Sequence, residues 1–276
     1  MSRLIVSGCS FTWYLQPTWP MFLSKKFDRT YSFGTGGAGN DYIFNSIIDA
    51  DSILKFNQDD TIIIEWSGDH RLDHFFTEGI STRWVTQGDL VHRPVDEFTV
   101  LDSYFPEKGL KKKTVNYMLA IYRYLKEKKV NFIFTSLYDL RTDDEYSDLL
   151  KEMYEDCFVF PGGMTDYYLE NFVHTNLHSP GWGHPDFIVH YEFAKEFANK
   201  LKIELDPEPN LSNLLDLVGT EENYHRYIKQ IDSHPLYSTA IPRVHSSLPD
   251  PNSNRSKLTP NSWELYQKIL QDVIGK

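Results

Sequence analysis

Cysteine, positive charge and long apolar runs are all scarce in this 276-residue chain, and each shortage removes a class of function. Two cysteines, Cys9 and Cys157, do not make a disulfide framework. Cys9 lies in a strand-end turn and Cys157 opens a short apolar run, so both read as small packing residues. Lysine and arginine number 28 against 39 aspartates and glutamates, a formal net charge of −11. That balance argues against a large phosphate-binding surface, and no nucleic-acid partner is expected. The one basic cluster, Lys111 to Lys113, falls just before a predicted helix and reads as a solvated end. No stretch approaches the ~20 apolar residues of a membrane span, so no membrane partner is expected. The N-terminal apolar run is interrupted from Ser7 to Ser10, which is not a signal-peptide pattern, and the expected compartment is cytoplasmic.

What the chain does have is the composition of a globular protein, 41% hydrophobic and 24% charged. Its length suits one large core, or one core with a small appendage. Aromatic residues reach 15%, with 17 Tyr, 18 Phe and 6 Trp. Such side chains fill cores and also line carbohydrate and acyl clefts.

Strand-like runs alternate with helical periodicity, which predicts βαβ units and a mainly parallel sheet. The expected strands are Arg3–Ser7, Thr30–Phe33, Thr61–Trp66, Asn131–Ser136 and Cys157–Phe160. Thr61-Ile62-Ile63-Ile64 is a continuous β-branched run, the pattern of a central strand covered on both faces. Helices are expected over Trp19–Phe27, Asn40–Lys55, Thr114–Lys129, Asp144–Asp156 and Pro185–Lys202. Asn40-Asp41 offers N-cap chemistry, and Pro185 suits a first helical turn. Residues 68–112 lack a clear period and read as an insertion over the site. From Asp206 the pattern breaks. A helix is expected near Leu211–Ile231, then a loose Pro/Ser/Asn segment over Pro242–Pro260, then a last helix near Ser262–Ile274. The expected division is therefore a domain over residues 1–205 and a C-terminal helical appendage over 206–276.

Four segments carry chemistry. Gly8-Cys9-Ser10-Phe11-Thr12 follows the apolar Leu4-Ile5-Val6, and a serine there is held at the carboxyl edge of the sheet, where open α/β folds build their sites. A hydroxyl needs an adjacent base to act as a nucleophile; the plainer alternative is that Ser10 and Thr12 cap a turn. Gly34-Thr35-Gly36-Gly37-Ala38-Gly39-Asn40-Asp41 admits three readings. It is an oxyanion loop with Gly37 as donor, a plain tight turn, or a dinucleotide fingerprint with Glu65 as its late acidic residue. Glu65-Trp66-Ser67-Gly68-Asp69-His70-Arg71 ends the central strand at the same edge. Asp69, His70, Asp73 and His74 there have something of a metal set, with the histidines four apart on a helix. Nothing completes the ligands, so the reading is a charged helix start, with no metal and no cofactor. Last, Gly181-Trp182-Gly183-His184-Pro185-Asp186 puts an imidazole in a loop before a helix, with Asp186 and His190 inside that helix.

Together these segments resemble the SGNH (GDSL-like) hydrolase superfamily, in particular its short divergent members met in tailed phages and marine bacteria. Gly8-Cys9-Ser10-Phe11-Thr12 is similar to the nucleophile block, Gly36 to Asp41 to the second block, and His184-Pro185-Asp186 to the last. The resemblance covers residues 1–203 and implies a three-layer α/β/α, flavodoxin-like parallel sheet. It implies Ser10 as nucleophile, His184 as general base, and the amides of Ser10 and Gly37 as oxyanion donors. Three departures stand out. Cys9 replaces the usual Asp of the first block. Ser67 or a backbone amide stands where the third block has an oxyanion Asn. Gly181 stands where the triad acid belongs, leaving a backbone carbonyl, Asp69 or Asp186 to orient His184, with Asp69 favoured over Asp186. The implied activity is a serine esterase or acyltransferase on a small-molecule or glycan-linked acyl ester, with Asn40, Trp66, Ser67 and Trp182 near the substrate. A scaffold that binds without turnover is the alternative, and a nucleotide-binding protein using Gly34–Gly39 a third.

Overall fold

The run from Thr61 to Ile64 forms the middle of β3 (Asp60–Trp66), and every residue of that strand is buried. β-branched side chains on both faces are what a strand covered by helices on either side requires. A computed structural model describes residues 1–14, 16–78, 81–89, 107–141, 147–172, 184–206, 230, 233–235, 257–258 and 262–274. β1 (Arg3–Ser7) lies parallel to β3 on one side and to β2 (Arg29–Ser32) on the other. Beyond β3 comes β6 (Asn131–Ser136), also parallel, and Phe158 forms a single parallel bridge to Phe134 of that strand. The parallel order is therefore β2-β1-β3-β6 followed by the Phe158 bridge, the doubly wound flavodoxin-like arrangement. The expected strand over Cys157–Phe160 is thus reduced to that one bridge.

Helices cover both faces. α1 (Trp19–Ser24) packs on α6 (Phe187–Leu201), with Trp19 edge-on to Phe197 at 4.7 Å between ring centres. α5 (Met164–Phe172) and α7 (Ser262–Ile274) join that layer by packing on α6 and α1 respectively. On the other face α2 (Asn40–Leu54) meets α3 (Glu107–Lys128), where Phe44 stacks on Tyr117 at 4.6 Å. α3 in turn meets α4 (Ser147–Cys157), and the Tyr122 hydroxyl reaches Glu152 and Asp156. The result is the expected α/β/α architecture.

Several expectations change. α3 begins at Glu107 and takes Lys111 to Lys113 inside it, because lysine is a good helix former and Lys113 pairs with Asp41 at 2.6 Å. Within the insertion, the chain after His70 forms an antiparallel hairpin, β4 (Arg71–Glu78) and β5 (Ser81–Asp89), in place of a helix start. His70 lies in the turn before β4 and His74 within that strand, so the two do not share one face of a helix, the premise of a metal-binding pair. Among the described residues no cluster could hold a metal ion, and no helix is long and apolar enough to cross a membrane. In the segment read as loose, Lys257–Leu258 forms β7, antiparallel to β2 at the sheet edge. The expected Leu211–Ile231 helix falls almost wholly outside the described residues. Tyr266, Ile269 and Val273 of α7 are buried in the common core.

The amino end of the sheet is closed by charge. Arg3 forks onto Asp60 with two 2.6 Å bonds and donates to the Leu54 carbonyl at 2.9 Å. Asp60 has no exposed surface, so removing the guanidinium leaves a buried carboxylate uncompensated. Arg3→Met should therefore lower stability by about 3–5 kcal/mol in urea unfolding. A loss below about 1 kcal/mol would mean the pair behaves as an exposed one.

Candidate functional site

Three strand ends meet at the carboxyl edge where the chain order reverses, between β1 and β3, the place where doubly wound sheets take ligands. After β1 the chain turns at once, with the Thr12 and Trp13 amides both donating to the Cys9 carbonyl at 3.0 and 3.1 Å. That turn lifts Ser10 to the edge, where it is 6% exposed. The histidine arrives from 174 residues away: His184 Nε2 lies 2.7 Å from Ser10 Oγ, within the reach of a nucleophile and its base.

Two contacts that the sequence reading missed hold the distant segments together. Tyr14 stacks flat on the His184 ring, 4.2 Å between centres and 8° between planes. Gln16 Nε2 donates to the Pro185 carbonyl at 2.5 Å. Both residues belong to the turn that carries Ser10, so one segment positions both members of the pair. The aromatic crowding at Phe11-Thr12-Trp13-Tyr14 was the available signal.

Beneath Ser10 lies a buried carboxyl. Glu65 has no exposed surface and accepts from Cys9 Sγ at 2.9 Å and Thr12 Oγ1 at 2.5 Å. Burial raises its pKa to about 7, against the pull of those donors and of Arg71. Burial likewise pushes the Cys9 thiol to about 12, so Cys9 is no rival nucleophile. Glu65 faces the nucleophile turn from within the core. A dinucleotide-binding acid must instead meet a ribose hydroxyl, so this placement speaks against the fingerprint reading.

The glycine loop is held from β4. Gly37 has φ +73°, a left-handed conformation that glycine adopts without strain, and its amide donates to no described residue. On either side of the next peptide, Ala38 O accepts from Arg71 Nη1 at 3.2 Å and the Gly39 amide donates to Asp73 Oδ1 at 2.8 Å. Asp73 also accepts from the Tyr42 amide at 2.9 Å, so it caps α2 from another strand. The expected cap from Asn40-Asp41 is replaced, because the N-cap residue is Gly39 and has no side chain to offer. Burial raises Asp73 to about 6 despite these two amides.

The remaining expected residues lie elsewhere. Asn40 bridges outward, accepting from the Ser67 amide at 2.8 Å and donating to the Ser67 carbonyl at 3.0 Å and Thr114 Oγ1 at 3.1 Å. It braces the end of β3 and does not face a substrate. Ser67 is fully buried, its hydroxyl without a partner among the described residues. Trp66 is also fully buried and packs edge-on to Phe134 at 5.7 Å, so it belongs to the core and does not line the cleft. Trp182 and Gly181 lie outside the described residues. Asp69 is turned to its neighbour, Oδ1 lying 3.7 Å from His70 Nδ1, and that histidine lowers its pKa. Asp186 is the N-cap of α6, accepting from the Ile188 and Val189 amides at 2.9 and 3.1 Å, and burial raises it to about 7. Neither carboxylate bonds to His184. His190, one turn into α6, is fully buried with neither ring nitrogen bonded among the described residues, and burial lowers its pKa to about 3.

No family model matches the chain, and no curated protein matches it. Among solved structures, protein YXIM of Bacillus subtilis is similar over 73% of this chain, at 14% identity and a TM-score of 0.45. The present chain spans 56% of that protein's length. A member of the lipolytic G-D-S-L family from Veillonella parvula is similar over 73% of this chain and 98% of its own, at 14% identity and a TM-score of 0.43. What the chain's own geometry shows is the fold and the placement: a parallel β2-β1-β3-β6 sheet, with Ser10 in the turn after β1 and His184 just ahead of α6.

The Glu65 environment yields a pH signature. A carboxyl raised from 4.5 to about 7 contributes stability that is fully present below pH 4.5 and lost as pH rises through 7. Glu65→Gln cannot ionise, so from pH 4.5 to 8 it should gain on the wild type by on the order of 3 kcal/mol. Asp73, Asp186 and His190 titrate in both proteins and cancel in the difference. A pH-independent difference in urea unfolding would show that Glu65 is solvated.

Proposed function

We propose that the chain is a serine esterase or acyltransferase working on an acyl ester, with Ser10 as nucleophile and His184 as its base. The observation that carries this reading is the 2.7 Å approach of His184 Nε2 to Ser10 Oγ at the switch point of the sheet. Ser10 Oγ bonds to the acyl carbon while its proton passes to His184 Nε2. The carbonyl electron pair moves onto oxygen, towards the amides of Ser10 and Gly37. As the pair returns, the C–O bond to the alcohol breaks and His184 delivers its proton to the leaving oxygen, which leaves an acyl-enzyme. Water, or a sugar hydroxyl in the transferase case, then gives its proton to His184 and attacks the acyl carbon, and Ser10 leaves reprotonated. Both outcomes need the same residues.

The base works here without a bonded Asp69 or Asp186. The Tyr14 stack, with Phe11 tilted at 5.9 Å, fixes the plane of the imidazole. The bond from Gln16 to the Pro185 carbonyl fixes the residue after it. These contacts orient the imidazole towards Ser10.

Cleavage of 4-nitrophenyl acetate is the test. Ser10→Ala and His184→Ala should each lower kcat by at least about 10⁴-fold with unchanged melting, whereas Asp69→Asn and Asp186→Asn should stay within about tenfold of wild type. In the serine-protease precedent the true triad acid is worth about 10⁴ in turnover, so a collapse in either Asn variant would identify a triad. A folded wild type with no esterase activity would favour the binding scaffold.

The loop makes a separate prediction. Gly37→Ala places a β-carbon at a left-handed position, a strain of about 1–2 kcal/mol. It also crowds the acyl oxygen, so kcat should fall by at least about tenfold. Unchanged turnover would remove Gly37 from the oxyanion hole.

A further inference from the structure

Arg71 makes no direct ion pair with a described carboxylate, although Glu65 and Asp73 both feel its charge. It opens β4, and its Nη1 donates to the Ala38 carbonyl at 3.2 Å. Its Nε is buried and has no acceptor among the described residues. The Cys9 thiol and the Glu65 carboxyl lie against the guanidinium. The thiol is protonated, and Glu65, whose charged form the guanidinium favours, directs its hydrogen bonds to Cys9 and Thr12. A guanidinium has five N–H donors, and here Nη1 serves Ala38 while Nε has no acceptor among the described residues. Burying a charged N–H donor without an acceptor is costly, so the orphaned Nε calls for an anionic acceptor that comes and goes.

Its position says which anion. On one side stands Cys9, whose sulfur is 3.9 Å from Ser10 Oγ. On the other stands Ala38, the residue after Gly37, in a peptide gripped by Arg71 at its carbonyl and by Asp73 at its amide. The cation therefore bridges the nucleophile turn and the glycine loop, and the anchor at Ala38 keeps it from swinging away. Where the resemblance implies an asparagine at the end of β3, this chain has Ser67 and Gly68, and the same stretch supplies Arg71 three residues later.

We propose that Arg71 is a catalytic residue of the oxyanion hole, donating N–H groups to the acyl oxygen as negative charge forms on it. This rests on the esterase reading and assigns its missing donor. No proton moves to or from Arg71. When Ser10 Oγ bonds to the acyl carbon, the carbonyl pair moves onto oxygen beside the guanidinium, and it returns when the C–O bond to the leaving alcohol breaks. A full charge in a partly buried site stabilises that oxygen more strongly than a neutral amide does.

The experiment measures kcat and KM of wild type, Arg71→Met and Arg71→Lys on 4-nitrophenyl acetate and on the 4-nitrophenyl monoester of succinate. Arg71→Met should lose about 10²–10³-fold in kcat on both esters, the range for one oxyanion donor, with KM within about threefold. Arg71→Lys keeps the charge but not the planar fork, and should lose about tenfold in kcat. Should the Met variant fail to fold, the Lys variant carries the test alone, and wild-type kcat in it overturns the proposal. A defect confined to KM for the succinate ester also overturns it, because Arg71 would then bind a substrate carboxylate. An active wild type with unimpaired Arg71 variants rejects this assignment only. A wild type inactive on both esters rejects the esterase reading along with it.

Discussion

The site is built around one buried carboxyl. Glu65 joins the end of β3 to the turn after β1 through Cys9 and Thr12, and the fit leaves no spare volume. A β-carbon on Gly8 would come within 2.2 Å of Thr12 Oγ1 and 2.7 Å of the Glu65 β-carbon. Glycine is required at Gly8 by this close approach, whatever its backbone angles. Cys9 fits the same logic: a small donor at that position satisfies Glu65, whereas a second carboxylate would set two acids against each other in the core.

From that anchor the other parts follow by stitching. The segment from Ser10 to Gln16 holds Ser10 at one end and reaches the histidine with Tyr14 and Gln16 at the other. The hairpin strand β4 holds the glycine loop with Arg71 and Asp73, and Asn40 ties the start of α2 back to Ser67. Each tie crosses between a strand-end turn and a different element, so geometry at Ser10 depends on the whole carboxyl edge. The opposite edge carries the Arg3–Asp60 pair. The ion pair and the Ser10–His184 pair thus lie at opposite ends of the sheet.

The sequence made the central strands legible because fully buried parallel strands show as unbroken apolar runs, and β1, β3 and β6 fell within a residue of their expected limits. Ser10 and His184 were legible from their order along the chain. What the sequence hid was direction. Trp66 sits in a strand apolar on both faces, so nothing in the run told core from cleft. Asp69 is adjacent to the strand end in sequence, but its carboxylate turns to His70. The cap on α2 comes from Asp73, 31 to 34 residues away from the amides it accepts, a pairing that local propensity cannot anticipate. The hairpin after His70 escaped because Arg71-Leu72-Asp73-His74-Phe75-Phe76 has no clean alternation. β7 has only two residues and therefore no period to detect.

The central claim is that Ser10 is an activated nucleophile, and covalent capture addresses it most directly. The folded protein is treated with a fluorophosphonate and the adduct is located by peptide mass spectrometry. The account predicts a single adduct on Ser10 that is lost in His184→Ala, where the base is gone but the hydroxyl remains. A folded protein that takes no label at Ser10, or labels equally without His184, would contradict it.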